Sequence, residues 1–249
     1  MKKSIFGITL YGIFVALSII IAGSFVTLLK QKDFMLLFLI FTFSLASQCI
    51  LCSTCSSSYT LASYISLIPI LIVFFFDCFK VKEIIFIFAL MCAIGRIGCY
   101  FAGCCTGKIT TNKTLAIHYD EKYQINKNQY KNNVYVYPTI YIEIILQFLI
   151  AYLVYFSSYG IIFYGLLNAA LLFLTSLWRN DPRMNTRRHG YIPIISLIAF
   201  SLLAYYKKCY KIKSKPKFVL NYIMIPIGIL FAIITSYDIN MMDLISMPK

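Results

Sequence analysis

The sequence predicts an all-α, polytopic integral membrane protein, and three observations carry that prediction. Of its 249 residues 60% are hydrophobic and only 13% are charged, with a mean hydropathy of +0.79, a balance outside the range of soluble domains. The apolar residues gather in eight windows, 5–29, 34–52, 60–76, 84–104, 138–157, 159–178, 191–206 and 218–236, close to the about 17 to 25 residues that cross a hydrocarbon core. The Lys and Arg residues that give the formal net charge of +14 fall mainly between the windows. They read as topology and headgroup charges, which excludes a nucleic-acid partner.

Each element follows in order. Lys2 and Lys3 precede the first window in the manner of a secretory signal, but the run is long and has no small-residue cleavage site, so it is expected to stay as the first span. The segment 108–137 is polar and rich in Asn, Lys and Tyr, with a short strand-like run at 115–119. It predicts a small extramembrane head between the fourth and fifth spans. A second connection, 179–190, is strongly basic and reads as a solvated loop touching anionic headgroups. Residues 207–249 supply a basic linker, in which Lys207, Lys208, Lys211, Lys213, Lys215 and Lys217 fall, and a last span. The whole is expected to be one membrane domain.

Charge does not fix the orientation. With the N-terminus outside, the inner side holds ten basic residues, Lys80 and Lys82 among them, against twelve outside. Tyr59, Tyr64, Tyr159, Trp178, Tyr191, Tyr205 and Tyr206 near span ends are interfacial anchors, and Pro69 and Pro193 mark helix kinks or starts. No internal repeat supports a transporter built from inverted halves. Among nine cysteines, Cys49, Cys52 and Cys55 recur at spacing three and Cys104 and Cys105 are adjacent. No His or Asp joins them, so they are read as small apolar residues, with neither metal, cofactor nor disulfide chemistry expected.

Function is signalled by Gly95-Arg96-Ile97-Gly98-Cys99-Tyr100-Phe101-Ala102-Gly103-Cys104-Cys105-Thr106-Gly107. The segment places a fixed positive charge inside an apolar window, at roughly 2.5 to 3.5 kcal/mol for an arginine at a helix centre. Such a guanidinium must face protein, water or an anion, and the glycines would let a helix or a lipid headgroup approach it. Glu143 is the second ionisable group within a window, one turn past Pro138. It either neutralises Arg96 in a buried pair or orients a headgroup. His118, alone in the polar segment, reads as solvated.

The glycine-arginine run, followed by Lys108, resembles the Gly-Arg-x-Gly signature of prolipoprotein diacylglyceryl transferases, in the Cys-containing version of divergent members. Three landmarks follow in family order. Tyr11-Gly12 resembles the family's first-helix Tyr-Gly, Tyr137-Pro138-Thr139-Ile140-Tyr141-Ile142-Glu143 its His-Pro-Thr-Gln-Leu-Tyr-Glu block, and Tyr164-Gly165 the start of its Tyr-Gly-x-x-Arg helix. The resemblance runs from about residue 5 to 206 and implies seven family spans with an appended eighth.

It also implies transfer of diacylglyceryl from phosphatidylglycerol to the lipobox cysteine thiol of a prolipoprotein, in a bacterial-type plasma membrane. Arg96 and Glu143 would be catalytic, and Tyr11, Gly95, Gly98, Cys99, Gly103 and Asn168 would contact substrate. The partners would be the phospholipid and the prolipoprotein signal peptide.

The chain departs from the family in several places. Its His-Gly-Gly element falls near Ser56 to Ala62, which has neither residue, and Tyr137 replaces a histidine. Ile140 and Ile142 stand where the family is polar, and its second arginine and its glutamate fall on Asn168 and Leu172. Arg179, about four turns beyond Gly165, would substitute only through a slip of helix register. A phospholipid-binding protein of this fold that has lost the chemistry is therefore the main rival expectation, and a small-solute transporter a more distant one.

Overall fold

A computed structural model describes residues 4–5, 8–25, 58–102, 107–114, 116–119, 123–126, 129–131, 133–179, 191–211, 222, 224–230 and 232–233. Helices dominate. α1 is Leu10–Gly23, α2 Ser58–Phe75, α3 Cys78–Ala102, α4 Thr139–Phe156, α5 Gly160–Trp178 and α6 Ile192–Tyr206. Three stretches, Cys78–Phe101, Thr139–Phe156 and Gly160–Trp178, are long and apolar enough to cross a membrane, and Leu10–Ile21 and Ile192–Tyr206 are shorter apolar helices. The predicted window 34–52 lies outside the described residues, and of the last window 224–230 and 232–233 are helical.

Helix boundaries differ from the windows where polar residues take part. The first window loses its opening residues to a hairpin, β1 Ser4–Ile5 paired with β2 Ile8–Thr9. Thr9 then caps α1, its Oγ1 accepting from the Gly12 amide at 3.1 Å, as a helix N-terminus requires. α3 begins six residues before its window because Asp77 caps it, Oδ1 accepting from the Lys80 amide at 2.9 Å. Lys82 and Glu83 are thereby buried in the first turns of α3. The expectation that Lys82 is a solvated loop charge is thus corrected; a window defined by hydropathy cannot include a helix turn that buries charge. Pro69 lies inside α2, and Pro193 starts α6.

Helix neighbours run α1, α3, α4, α5, α6, α2. Between α3 and α4 the polar segment forms short antiparallel pairs: β3 Ile117–Tyr119 with β6 Val134–Val136, and β4 Tyr123–Asn126 with β5 Gln129–Lys131. Ile109 bridges Val136 on the other side of β6. These strands sit at one end of the bundle, where α3 ends and α4 begins. The main apolar core sits toward the opposite end, with Ile72, Val73, Ile84, Ile85, Val154, Ile161 and Phe200 fully buried. A smaller cluster of Ile117, Val134, Val136 and Ile140 seats the strands on α4. On α4 the buried polar residues Glu143 and Gln147 lie between Ile140 of the smaller cluster and Ile150 of the main core.

One covalent feature corrects the sequence expectation. Cys78 and Cys209 form a disulfide with a Cα separation of 4.9 Å, within the usual span for such bonds. It joins the start of α3 to the 3₁₀ turn Cys209–Lys211 that follows α6, at the end away from the strands. Their sequence separation of 131 leaves no local signal, since only folding brings the two helix ends together. Lys207 Nζ reinforces this end by donating to the carbonyls of Val73 at 2.7 Å and Phe74 at 3.1 Å, the last turn of α2. Cys49, Cys52, Cys55, Cys104 and Cys105 lie outside the described residues. Reduction of the purified protein is expected to lower its stability by about 2 kcal/mol, the low end for a disulfide because spanning helices restrict the unfolded chain. A thermal midpoint in detergent unchanged by reduction, or by Cys78→Ser with Cys209→Ser, would contradict this.

Candidate functional site

The site lies where the strand end of the bundle meets α3, α4 and α5. Pro138 precedes α4 and sets its first turn. Glu143 therefore comes one turn inside, facing the bundle, with its side chain only 3% exposed. Arg96, on the last two turns of α3, places Nε 3.2 Å from Glu143 Oε2. From the third side Arg179 Nη1 donates to Glu143 Oε1. Two guanidiniums thus share one carboxylate, a formal net charge of +1 counted over these three side chains among the described residues.

Arg179 is the largest correction to the sequence reading. It was expected in a solvated basic loop, and at the site only through a register slip. In the structure it is the C-cap of α5, buried at 5% exposure, and it reaches Glu143 with no slip. Backbone contacts explain how. Gly107 bridges Arg179, the Lys108 amide donates to the Trp178 carbonyl at 2.6 Å, and the Tyr137 amide donates to the Lys108 carbonyl at 3.0 Å. Lys108 Nζ adds a bond to the Leu177 carbonyl at 2.9 Å, neutralising the α5 C-terminus. The signature's end therefore ties the end of α5 to the start of α4 and turns Arg179 inward. Only glycine fits at 107, because a Cβ there would collide with the Tyr137 carbonyl oxygen.

The other glycines divide by role. At Gly98 a Cβ would meet Phe14 Cβ at 3.1 Å and Tyr11 at 3.2 Å, so this glycine lets α1 pack closely on α3 and brings Tyr11 beside the signature. A Cβ at Gly95 would have nothing within 4 Å among the described residues. Cys92, one turn earlier on the same helix, is exposed. The Arg96 side chain is 23% exposed, against 4% for Arg179 and 3% for Glu143. Arg96 is thus the most exposed member of the cluster.

Asn168 lies deeper on α5. Its Nδ2 donates to the Tyr164 carbonyl at 2.8 Å, and its Oδ1 accepts from Gln147 Nε2 at 2.7 Å. Gln147 was not foreseen, although its place four residues after Glu143 on one helix face was the available signal. Cys99 packs against the small cluster under the strands. Gly103 and all of the side chains from Ser56 to Ala62 lie outside what is described. His118 behaves as a solvated side chain, with Nε2 2.5 Å from Asn133 Oδ1 and its ring stacked on Tyr135.

A bundle of long apolar helices holding a buried guanidinium and carboxylate cluster defines an integral membrane protein with a charged centre between its helices. A family model of prolipoprotein diacylglyceryl transferase matches residues 60–234, and the chain belongs to that family. Neither curated proteins nor solved structures gave a match. The match starts later than the resemblance at residue 5 and passes residue 206, so it takes in the helical residues 224–230 and 232–233 once set outside the family core.

Proposed function

We propose that the protein transfers the diacylglyceryl group of phosphatidylglycerol to the cysteine thiol of a prolipoprotein. The observation that carries the reading is the convergence of Arg96 and Arg179 on the buried carboxylate of Glu143, with Arg96 the most exposed of the three. In the reaction the sulfur forms a bond to the glyceryl carbon next to the phosphate ester oxygen. That carbon–oxygen bond breaks, its electron pair stays on the leaving phosphate, and the thiol proton is released to the medium. The phosphodiester carries one negative charge, and the released glycerol 1-phosphate carries nearly two at neutral pH.

A guanidinium at that phosphate is accordingly worth more in the transition state than in the bound substrate, which is what lowers a barrier. Arg96 holds the phosphate, and its fork suits two oxygens at once. Glu143 and Arg179 hold Arg96 in place. In this reading Tyr11, Gly95, Gly98, Cys99, Gly103 and Asn168 surround the headgroup, and the strand-bearing segment between α3 and α4 is a head outside a bacterial plasma membrane that receives the signal peptide.

The test uses the full chain in nanodiscs containing labelled phosphatidylglycerol, with a lipobox peptide added. Label is expected on the peptide thiol as a thioether, with equimolar glycerol 1-phosphate released. Bound anionic lipid without any peptide labelling would instead favour the rival reading, a lipid-binding member of the family that lacks the chemistry.

A further inference from the structure

Beneath the guanidinium cluster the structure holds a polar arrangement that the proposed reaction does not yet use. The hydrogen bonds there run in one direction. Asn168 Nδ2 is spent on the Tyr164 carbonyl, so its Oδ1 must accept, and Gln147 Nε2 must be the donor. That bond leaves Gln147 Oε1 as a buried acceptor with no hydrogen-bond donor among the described residues. One turn nearer the strands on the same face of α4, Glu143 Oε2 is also buried without a well-directed hydrogen bond, although Arg96 Nε is 3.2 Å away. Buried acceptors are nearly always satisfied, and leaving one unpaired costs about 1–3 kcal/mol. Thr139 Oγ1, one turn earlier again, is a third such atom on this face of α4, and the row requires an account.

α3 and α4 follow one another through the strand segment and run antiparallel. The residue one turn before Arg96 and the residue one turn after Glu143 therefore lie at the same depth. The first is Cys92, which is exposed, and between Cys92 and Arg96 lies Gly95, where a Cβ would meet nothing within 4 Å among the described residues. A ligand whose anionic group meets Arg96 would carry its remaining headgroup atoms to the level of Gln147.

We propose that Gln147 is a specificity residue, whose Oε1 accepts a hydrogen bond from a hydroxyl of the polyol phosphate headgroup. The inference rests on the reading of Arg96 as the phosphate ligand. Acceptor oxygens below and guanidiniums above form a complement to a phosphate ester with free hydroxyl donors. A headgroup of equal charge that lacks hydroxyls leaves Gln147 Oε1 unpaired. A purely structural Gln147, tying α4 to α5 through Asn168, would not distinguish the two.

The experiment compares binding of phosphatidylglycerol and phosphatidylpropanol, an anionic lipid whose headgroup has no free hydroxyl, to the full chain in nanodiscs of otherwise zwitterionic lipid. The wild-type protein is expected to prefer phosphatidylglycerol by about tenfold, the scale of one hydrogen bond in a site shielded from water. Gln147→Met, which keeps the side-chain volume, is expected to abolish the preference by weakening phosphatidylglycerol alone. Equal binding of both lipids by the wild-type protein overturns the proposal without any variant, and a preference surviving in Gln147→Met overturns it also. Loss of binding of both lipids in Arg96→Ala keeps the underlying reading intact in either case. Binding of neither lipid, or binding indifferent to Arg96, removes that reading and the proposal with it.

Discussion

Replacing Glu143 with alanine is expected to destabilise the protein by about 3–5 kcal/mol, the cost of leaving buried charge uncompensated. The carboxylate is 97% buried and touches two guanidiniums, so its removal sets two like charges side by side in a low-dielectric interior. Arg96 has an open edge through which water can reach it. Arg179, at 4% side-chain exposure, has no such relief. The double variant Glu143→Ala with Arg179→Met is therefore expected to be more stable than the single variant Glu143→Ala, because it removes the charge that burial penalises most. Thermal midpoints in detergent for the two single variants and the double variant close the cycle. If the effects of the single variants simply add, the cluster contributes no coupling and the geometric account of it fails.

The same residues show how far the sequence could be read. Arg96 and Glu143 were visible because each is an ionisable group in an apolar window, an expense that demands a partner. The spans around them were equally plain: the window 138–157 became Thr139–Phe156 and 159–178 became Gly160–Trp178. Arg179 was misread because it follows Trp178 at the edge of a polar, basic run, and local composition assigns such a residue to solvent. What turns it inward is a set of backbone contacts with Gly107 and Lys108, more than seventy residues earlier in the chain. Lys82, Glu83 and the Cys78–Cys209 bond were missed for a related reason, since each depends on which helix ends meet. Pattern along a chain reports which side chains need burial or partners; it does not report which distant residue supplies the partner.

Loss of Arg96 is expected to separate chemistry from stability. In Arg96→Ala the rate of peptide lipidation should fall about 10²- to 10³-fold, the loss typical when one preorganised charge-stabilising donor is removed. Stability should change far less than in Glu143→Ala, because Glu143 keeps Arg179 and the side chain removed is the exposed one of the three. Arg179→Ala should behave in the reverse sense. It buries Glu143 with Arg96 alone and loosens the junction of α5 with α4, so the thermal midpoint falls first and the rate falls with the folded fraction. Arg96→Lys is the sharper probe. It keeps the charge but loses the planar fork, so it should bind anionic lipid while recovering only part of the rate. Lipidation by Arg96→Ala at the wild-type rate would remove Arg96 from the chemistry. Equal loss of rate and midpoint in Arg96→Ala and Arg179→Ala would make both arginines structural, and would leave the lipid phosphate without its ligand.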